Sequence, residues 1–112
     1  MKIAVPMAEG KLAMHFGHCA SFAVVETNEA GEQIKTEEVI PPPHEPGVLP
    51  KWLGQEIKAD VIIAGGMGQR AQDLFSQYGV KVMVGAQVKT PADLVADYIS
   101  GTLHVGANAC DH

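Results

Sequence analysis

Two stretches of the chain concentrate the groups that could do chemistry. The first, Met7 to Cys19, carries Met7, Met14, His15, Phe16, His18 and Cys19 and is interrupted by Gly10 and Gly17. Thioether, imidazole and thiol groups are the donors that soft metal centres take. The second is Gly65-Gly66-Met67-Gly68-Gln69. Its glycines would permit a tight turn and let backbone N–H groups point outward at the positive end of a helix dipole, which is anion-binding geometry. Outside these stretches stand His44, in a proline-rich connector, and the terminal Cys110-Asp111-His112.

Each signal has an ordinary alternative. Gly66-x-Gly68-x-x-Ala71 matches the dinucleotide fingerprint in form, but the acidic residue expected about 20 positions on is missing from Val84 to Val88. Arg70 stands where a phosphate loop would need its Lys-Ser/Thr pair. The glycines therefore serve either an anion or only the strand-to-helix turn. His15-x-x-His18-Cys19 resembles half a zinc site, although adjacent ligands 18 and 19 cannot easily both reach one ion. Phe16 reads as a core plug, and the Cys110 and His112 pair as a second half-site or a frayed tail.

The elements that must position these groups follow from hydrophobic pattern. Lys2 to Pro6 reads as a strand, followed by the irregular Met7 to Cys19 segment. Ser21 to Thr27 and Gln33 to Ile40 form an antiparallel hairpin, and the polar alternation of the latter suggests an exposed edge open to pairing. The prolines of Pro41 to Gly47 exclude helix and central strand. Leu49, Trp52, Leu53 and Ile57 mark a short amphipathic helix. Val61 to Gly65 is uncharged and β-branched, a strand buried on both faces, and Ala71, Leu74, Phe75 and Tyr78 continue it at helical spacing. Val80 to Val84 is a further strand. Thr90, Pro91 and Asp93 begin a last helix that Gly101 closes.

The order β-β-β-α-β-α-β-α predicts one α/β domain over residues 1–101, a five-stranded mixed sheet flanked by helices, and a mobile tail over 102–112. With the first strand and Val61 to Gly65 parallel and adjacent, their carboxyl ends meet at a topological switch point. Ligand binding is expected there, where the histidines, methionines and glycine N–H groups converge.

The 112 residues suffice for one core without disulfides or a structural metal. Eight basic and thirteen acidic residues give a net charge of −5, with no basic run, so nucleic acid is not an expected partner. Neither a leader nor an 18-residue apolar span is visible, so no membrane association and a cytoplasmic location are expected. The two cysteines fit that compartment as thiols or ligands.

Taken in order, Ile3-Ala4-Val5-Pro6, His15-Phe16-Gly17, the His44 connector, Asp60 to Gly68 and Gly79-Val-Lys-Val-x-Val-Gly85 resemble the dinitrogenase iron-molybdenum cofactor biosynthesis family. That family includes NifX, NafY, the C-terminal domain of NifB and stand-alone relatives such as the molybdenum-copper orange protein. The resemblance implies a ribonuclease H-like fold that binds, carries or protects an anionic metal-sulfur cluster without turnover. The cluster would be of the iron-molybdenum or molybdenum-copper thiometallate type, and a donor or acceptor protein in cluster assembly is an implied partner. Many members have a basic residue after His-Phe-Gly, where this chain has His18 and Cys19.

On that resemblance the family's glycine turn falls on Gly65, Gly66 and Gly68, and Gly66, Gly68 and Gln69 would offer N–H groups to the polyanion. Met7, Met14 and Met67 would form polarisable walls, with Phe16 and Gly17 shaping the loop. His15, His18 and His44 would donate hydrogen bonds or ligate. An alternative is a divalent zinc or copper site built from His15, His18, Cys19, Cys110 and His112. A nuclease-like enzyme on the same scaffold is disfavoured, because two-metal chemistry needs carboxylates at strand ends and Asp60 lies at the wrong end of its strand.

Overall fold

The computed structural model describes residues 1–13, 16, 19–43 and 47–103. Among these, six strands form one mixed sheet: β1 (Lys2–Ala8), β2 (Lys11–Leu12), β3 (Ser21–Thr27), β4 (Gln33–Val39), β5 (Val61–Ile63) and β6 (Lys81–Met83). The order is β4-β3-β1-β5-β6, with β2 paired to β1 off this path. β3 is antiparallel to β1 and β4, and β5 is parallel to β1 and β6. Three helices complete the α/β domain. α1 (Val48–Lys51) continues as a π-helical turn over Trp52–Ile57, followed by α2 (Gln69–Gln77) and α3 (Pro91–Ser100).

The expected five strands are thus six. The extra strand arises because β1 runs on to Ala8 and turns back through Glu9 (φ 55°) and Gly10 (φ 80°), which pairs Ala8 with Lys11 and Met7 with Leu12. Two central residues at positive φ mark the hairpin turn whose usual signature is Asn-Gly or Asp-Gly. With Glu in the first position that signature is weak.

Alternation along the strands divides the core into two layers. Ala4, Phe22, Ile62 and Ala64 face α1 and α2, packing with Leu53, Met67 and Phe75. Ile3, Val5, Ala23, Val25, Val61 and Ile63 face α3, packing with Leu94 and Val95. The last helix follows its sequence signals: Thr90 Oγ1 accepts from Asp93 N at 3.4 Å, and Gly101 closes it at φ 78°. The expected Leu49–Ile57 helix is present but widens after its first turn. There Gly54 lies against Tyr78, where a Cβ would come within 2.8 Å of the tyrosine Cβ. Among the described residues no helix is long and apolar enough to cross a membrane.

Candidate functional site

β1 and β5 lie side by side at the centre of the sheet, with Ile3 opposite Val61 and Ala4 opposite Ile62. After them the chain diverges, from β1 toward β3 and from β5 toward β6. Their carboxyl ends therefore mark the topological switch point, the position at which open α/β sheets bind ligands.

The glycine turn at that point is held by its acceptors. Ala64 O accepts from Ala86 N at 3.2 Å, Gly65 O from Gly85 N at 2.9 Å, and Gly66 O from Phe16 N at 2.9 Å. Met67 O accepts from Gln72 Nε2 at 2.9 Å, and Gly68 O from Gln72 N at 3.2 Å. Every carbonyl from 64 to 68 is engaged within the chain, which fixes the peptide planes of the turn. Gly85 can approach so closely because it sits at φ 78°, open to glycine at little cost.

Gly68 is the N-cap of α2, at φ −64° and ψ 154°, and no side chain caps this helix. The first N–H groups of a helix have no intrahelical partner, and no acidic residue occupies the first turn of α2. Among the described residues, a Cβ at Gly68 would meet nothing within 4 Å. The dipole of α2 is uncompensated by acidic side chains of its own first turn. Gln69 Nε2 donates to Asp73 Oδ1 at 2.8 Å, so its side chain folds back along the helix and leaves the backbone as its contribution to the turn.

Phe16 joins the two stretches singled out in the sequence. Besides its backbone bond to Gly66, its ring packs edge-on against Phe22 (5.7 Å between centroids) and Phe75 (5.5 Å). The segment around it is anchored at both ends on β1, by Ala13 N to Pro6 O and Ala20 N to Met7 O, both 2.8 Å. Leu12 N to Lys89 O at 3.1 Å ties in the segment after β6. Three segments therefore meet at one end of the sheet.

The other candidates divide. Met7 belongs to β1 and packs in the layer under α3, in phase with Ile3 and Val5. Met67 is fully buried in the opposite layer. The structure does not bring these two methionines together on one wall. Met14, His15, Gly17, His18, His44, Cys110 and His112 lie outside the described residues. Asp60 accepts from Lys2 N at 2.8 Å at the amino end of β5, away from the switch point.

Cys19 is buried in the same layer as Phe16 and Phe22. Loss of water around it pushes its thiol up from 9.0 to about 11, opposed in part by a backbone hydrogen bond. The fold thus favours the neutral thiol. The associated stability is present below pH 9 and is lost as the pH rises toward 11, by at most about 2–3 kcal/mol. The urea midpoint should fall over that interval more steeply in the native sequence than in Cys19→Ala, a comparison that subtracts the lysines and tyrosines. At pH 8, peptide mapping after iodoacetamide treatment should find Cys19 unmodified in the folded protein and modified in urea.

Sequence reasoning missed the clamp formed by Gln72. An uncharged side chain five residues beyond Met67 carries no pattern that marks it.

The model of the dinitrogenase iron-molybdenum cofactor family matches residues 1–101. The chain belongs to that family. A family relative, the uncharacterised protein MJ0580 of Methanocaldococcus jannaschii, is 36% identical over 87 residues, covering 73% of this chain and 72% of its own. The crystal structure of PH0822 matches with a TM-score of 0.88 at 25% identity over 100% of both chains. The apo form of the orange protein from Desulfovibrio gigas matches with a TM-score of 0.73 at 24% identity, over 96% of this chain and 93% of that one. That last likeness shows a shared fold.

Proposed function

We propose that this member of the dinitrogenase iron-molybdenum cofactor family binds and carries an anionic metal-sulfur cluster as cargo. The cluster would be a molybdenum-containing one of the iron-molybdenum or molybdenum-copper type, held without turnover for delivery between a donor and an acceptor protein. The observation that carries the reading is the hydrogen bond from Phe16 N to Gly66 O at 2.9 Å. It ties Phe16, the central residue of the His-Phe-Gly motif, to the glycine turn at the end of the sheet where α2 begins.

The chemistry of such cargo suits what is there. A polyanion with sulfide edges is favoured by backbone donors and a helix dipole, and the chain's net charge of −5 leaves that attraction to local groups. In this reading the N–H groups of Gly66, Gly68 and Gln69 would hold the charge while His15, His18 and His44 donate or ligate. Met14 and Gly17 would line the loop beside them. The ribonuclease H-like class belongs to the same proposal, supported by a sheet in which parallel β1, β5 and β6 adjoin antiparallel β3. The zinc or copper alternative loses support at Cys19, since a thiolate ligand there would have to form in apolar packing that favours the neutral thiol.

The test is elemental analysis and a visible spectrum on protein purified anaerobically from its native host. Molybdenum with copper or iron, acid-labile sulfide and charge-transfer bands are expected. A colourless protein holding zinc alone would overturn the reading. In reconstitution with tetrathiomolybdate and Cu(I), His15→Ala with His18→Ala should weaken binding at unchanged thermal stability, and unchanged binding would remove these histidines from the mechanism.

A further inference from the structure

Among the described residues, β4 is the free edge of the sheet beyond β3. Of its seven residues only Val39 is partly covered, and Ile34 stands 59% exposed. Neither core layer extends over this strand beyond Val39.

Which of its backbone groups face outward follows from the ladder. Thr27 N donates to Met1 O at 2.8 Å and Met1 N to Thr27 O at 3.0 Å. Such doubly bonded pairs recur at every second residue of an antiparallel pair, so Val25 and Ala23 turn their N–H and C=O toward β1. Glu26, Val24 and Phe22 then turn theirs toward β4, where they stand opposite Lys35, Glu37 and Val39. The outer edge is lined by the N–H and C=O groups of Thr36 and Glu38, while at Ile34 the register shift between Glu26 and Thr27 interrupts the ladder.

A second copy can add to this edge antiparallel only about an axis perpendicular to the sheet, which pairs residues symmetrically about one central position. Centring on Lys35, Glu37 or Glu38 sets that charge against its own copy, which is destabilising. Centring on Thr36 instead pairs Thr36 with Thr36 and sets Lys35 opposite Glu37 twice. Those two pairs fall at the non-hydrogen-bonded positions, where side chains lie closer. In the single chain Lys35 Nζ and Glu37 Oε1 already meet at 2.8 Å, and both remain more than half exposed. The same two groups are free to exchange partners across the axis.

We propose that the β4 edge is a homodimer interface, in which two copies join their sheets antiparallel about Thr36. The strand carries its own complement, so a second copy of this chain is the partner that its charges and register fit. Because β4 runs parallel to β1, the axis sends the two glycine turns to opposite ends of the joined sheet. Each copy keeps its glycine turn away from the interface, which is independent of what that turn binds.

The test is sedimentation velocity with light scattering on the full chain, from micromolar to millimolar. A mass twice 11.9 kDa is expected at the upper end. Thr36→Pro removes an outward N–H that β3 does not use, so it should give a monomer with an unchanged circular dichroism spectrum. Lys35→Glu should raise the dimer dissociation constant about tenfold, and adding Glu37→Lys should bring it back to within about twofold. A single-chain mass at every concentration would overturn the proposal, as would a dimer indifferent to Thr36→Pro or a double swap no better than Lys35→Glu. If Thr36→Pro fails to fold, the charge pair decides alone, because both side chains are on the surface.

Discussion

Phe16→Ala should lower the thermal midpoint by at least about 10 °C and weaken cluster binding at the same time. The ring is buried against Phe22 and Phe75, and truncating a buried phenylalanine costs about 3–5 kcal/mol. For a domain of this size each kcal/mol is worth roughly 4 °C or more. The second effect follows from the first. The ring seats the backbone that donates to Gly66 O, so its loss frees residue 16 from the glycine turn. Phe16→Leu keeps an apolar side chain in the cavity and should recover most of both. Calorimetry and a thiometallate titration on the three proteins measure this. If Phe16→Ala lost stability but bound cluster at the native affinity, the segment would be packing and nothing more.

The second large effect is expected at Gly68, with the opposite signature. Its backbone, at φ −64° and ψ 154°, is open to any residue, and among the described residues a Cβ there meets nothing within 4 Å. Nothing among the described residues demands glycine at this position. Gly68→Val should therefore cost no more than about 1 kcal/mol, the difference between a glycine and an aliphatic N-cap. The valine side chain would nevertheless stand in the space before the first N–H groups of α2. Affinity for the cluster should fall at least about tenfold while the midpoint moves little. A variant that is stable and binds normally would take the glycine turn out of the site.

These two positions show what the sequence could reveal. The β5 strand and its turn were legible because an uncharged β-branched run followed by glycines and a helical repeat has few other solutions. The start and end of α3 were legible for a similar reason, since Thr90, Pro91 and Gly101 act locally. Met7 was misplaced in a loop although its phase with Ile3 and Val5 already put it on a core face. The Glu9-Gly10 turn hid that extension. The bond between Phe16 and Gly66 spans 50 positions, and no periodicity announces it. The motif and the turn were each visible, but that they touch is a property of the fold.

If these two segments together hold the cargo, the amide chemical shifts of both must respond to it. The ¹⁵N-labelled protein would be titrated anaerobically with tetrathiomolybdate and Cu(I). The largest shifts are expected at Phe16, Gly66, Gly68 and Gln69 and in the segment between Ala13 and Ala20, with β4 and α3 unmoved. Shifts confined to Cys110 and His112, with the glycine turn silent, would contradict this joint role.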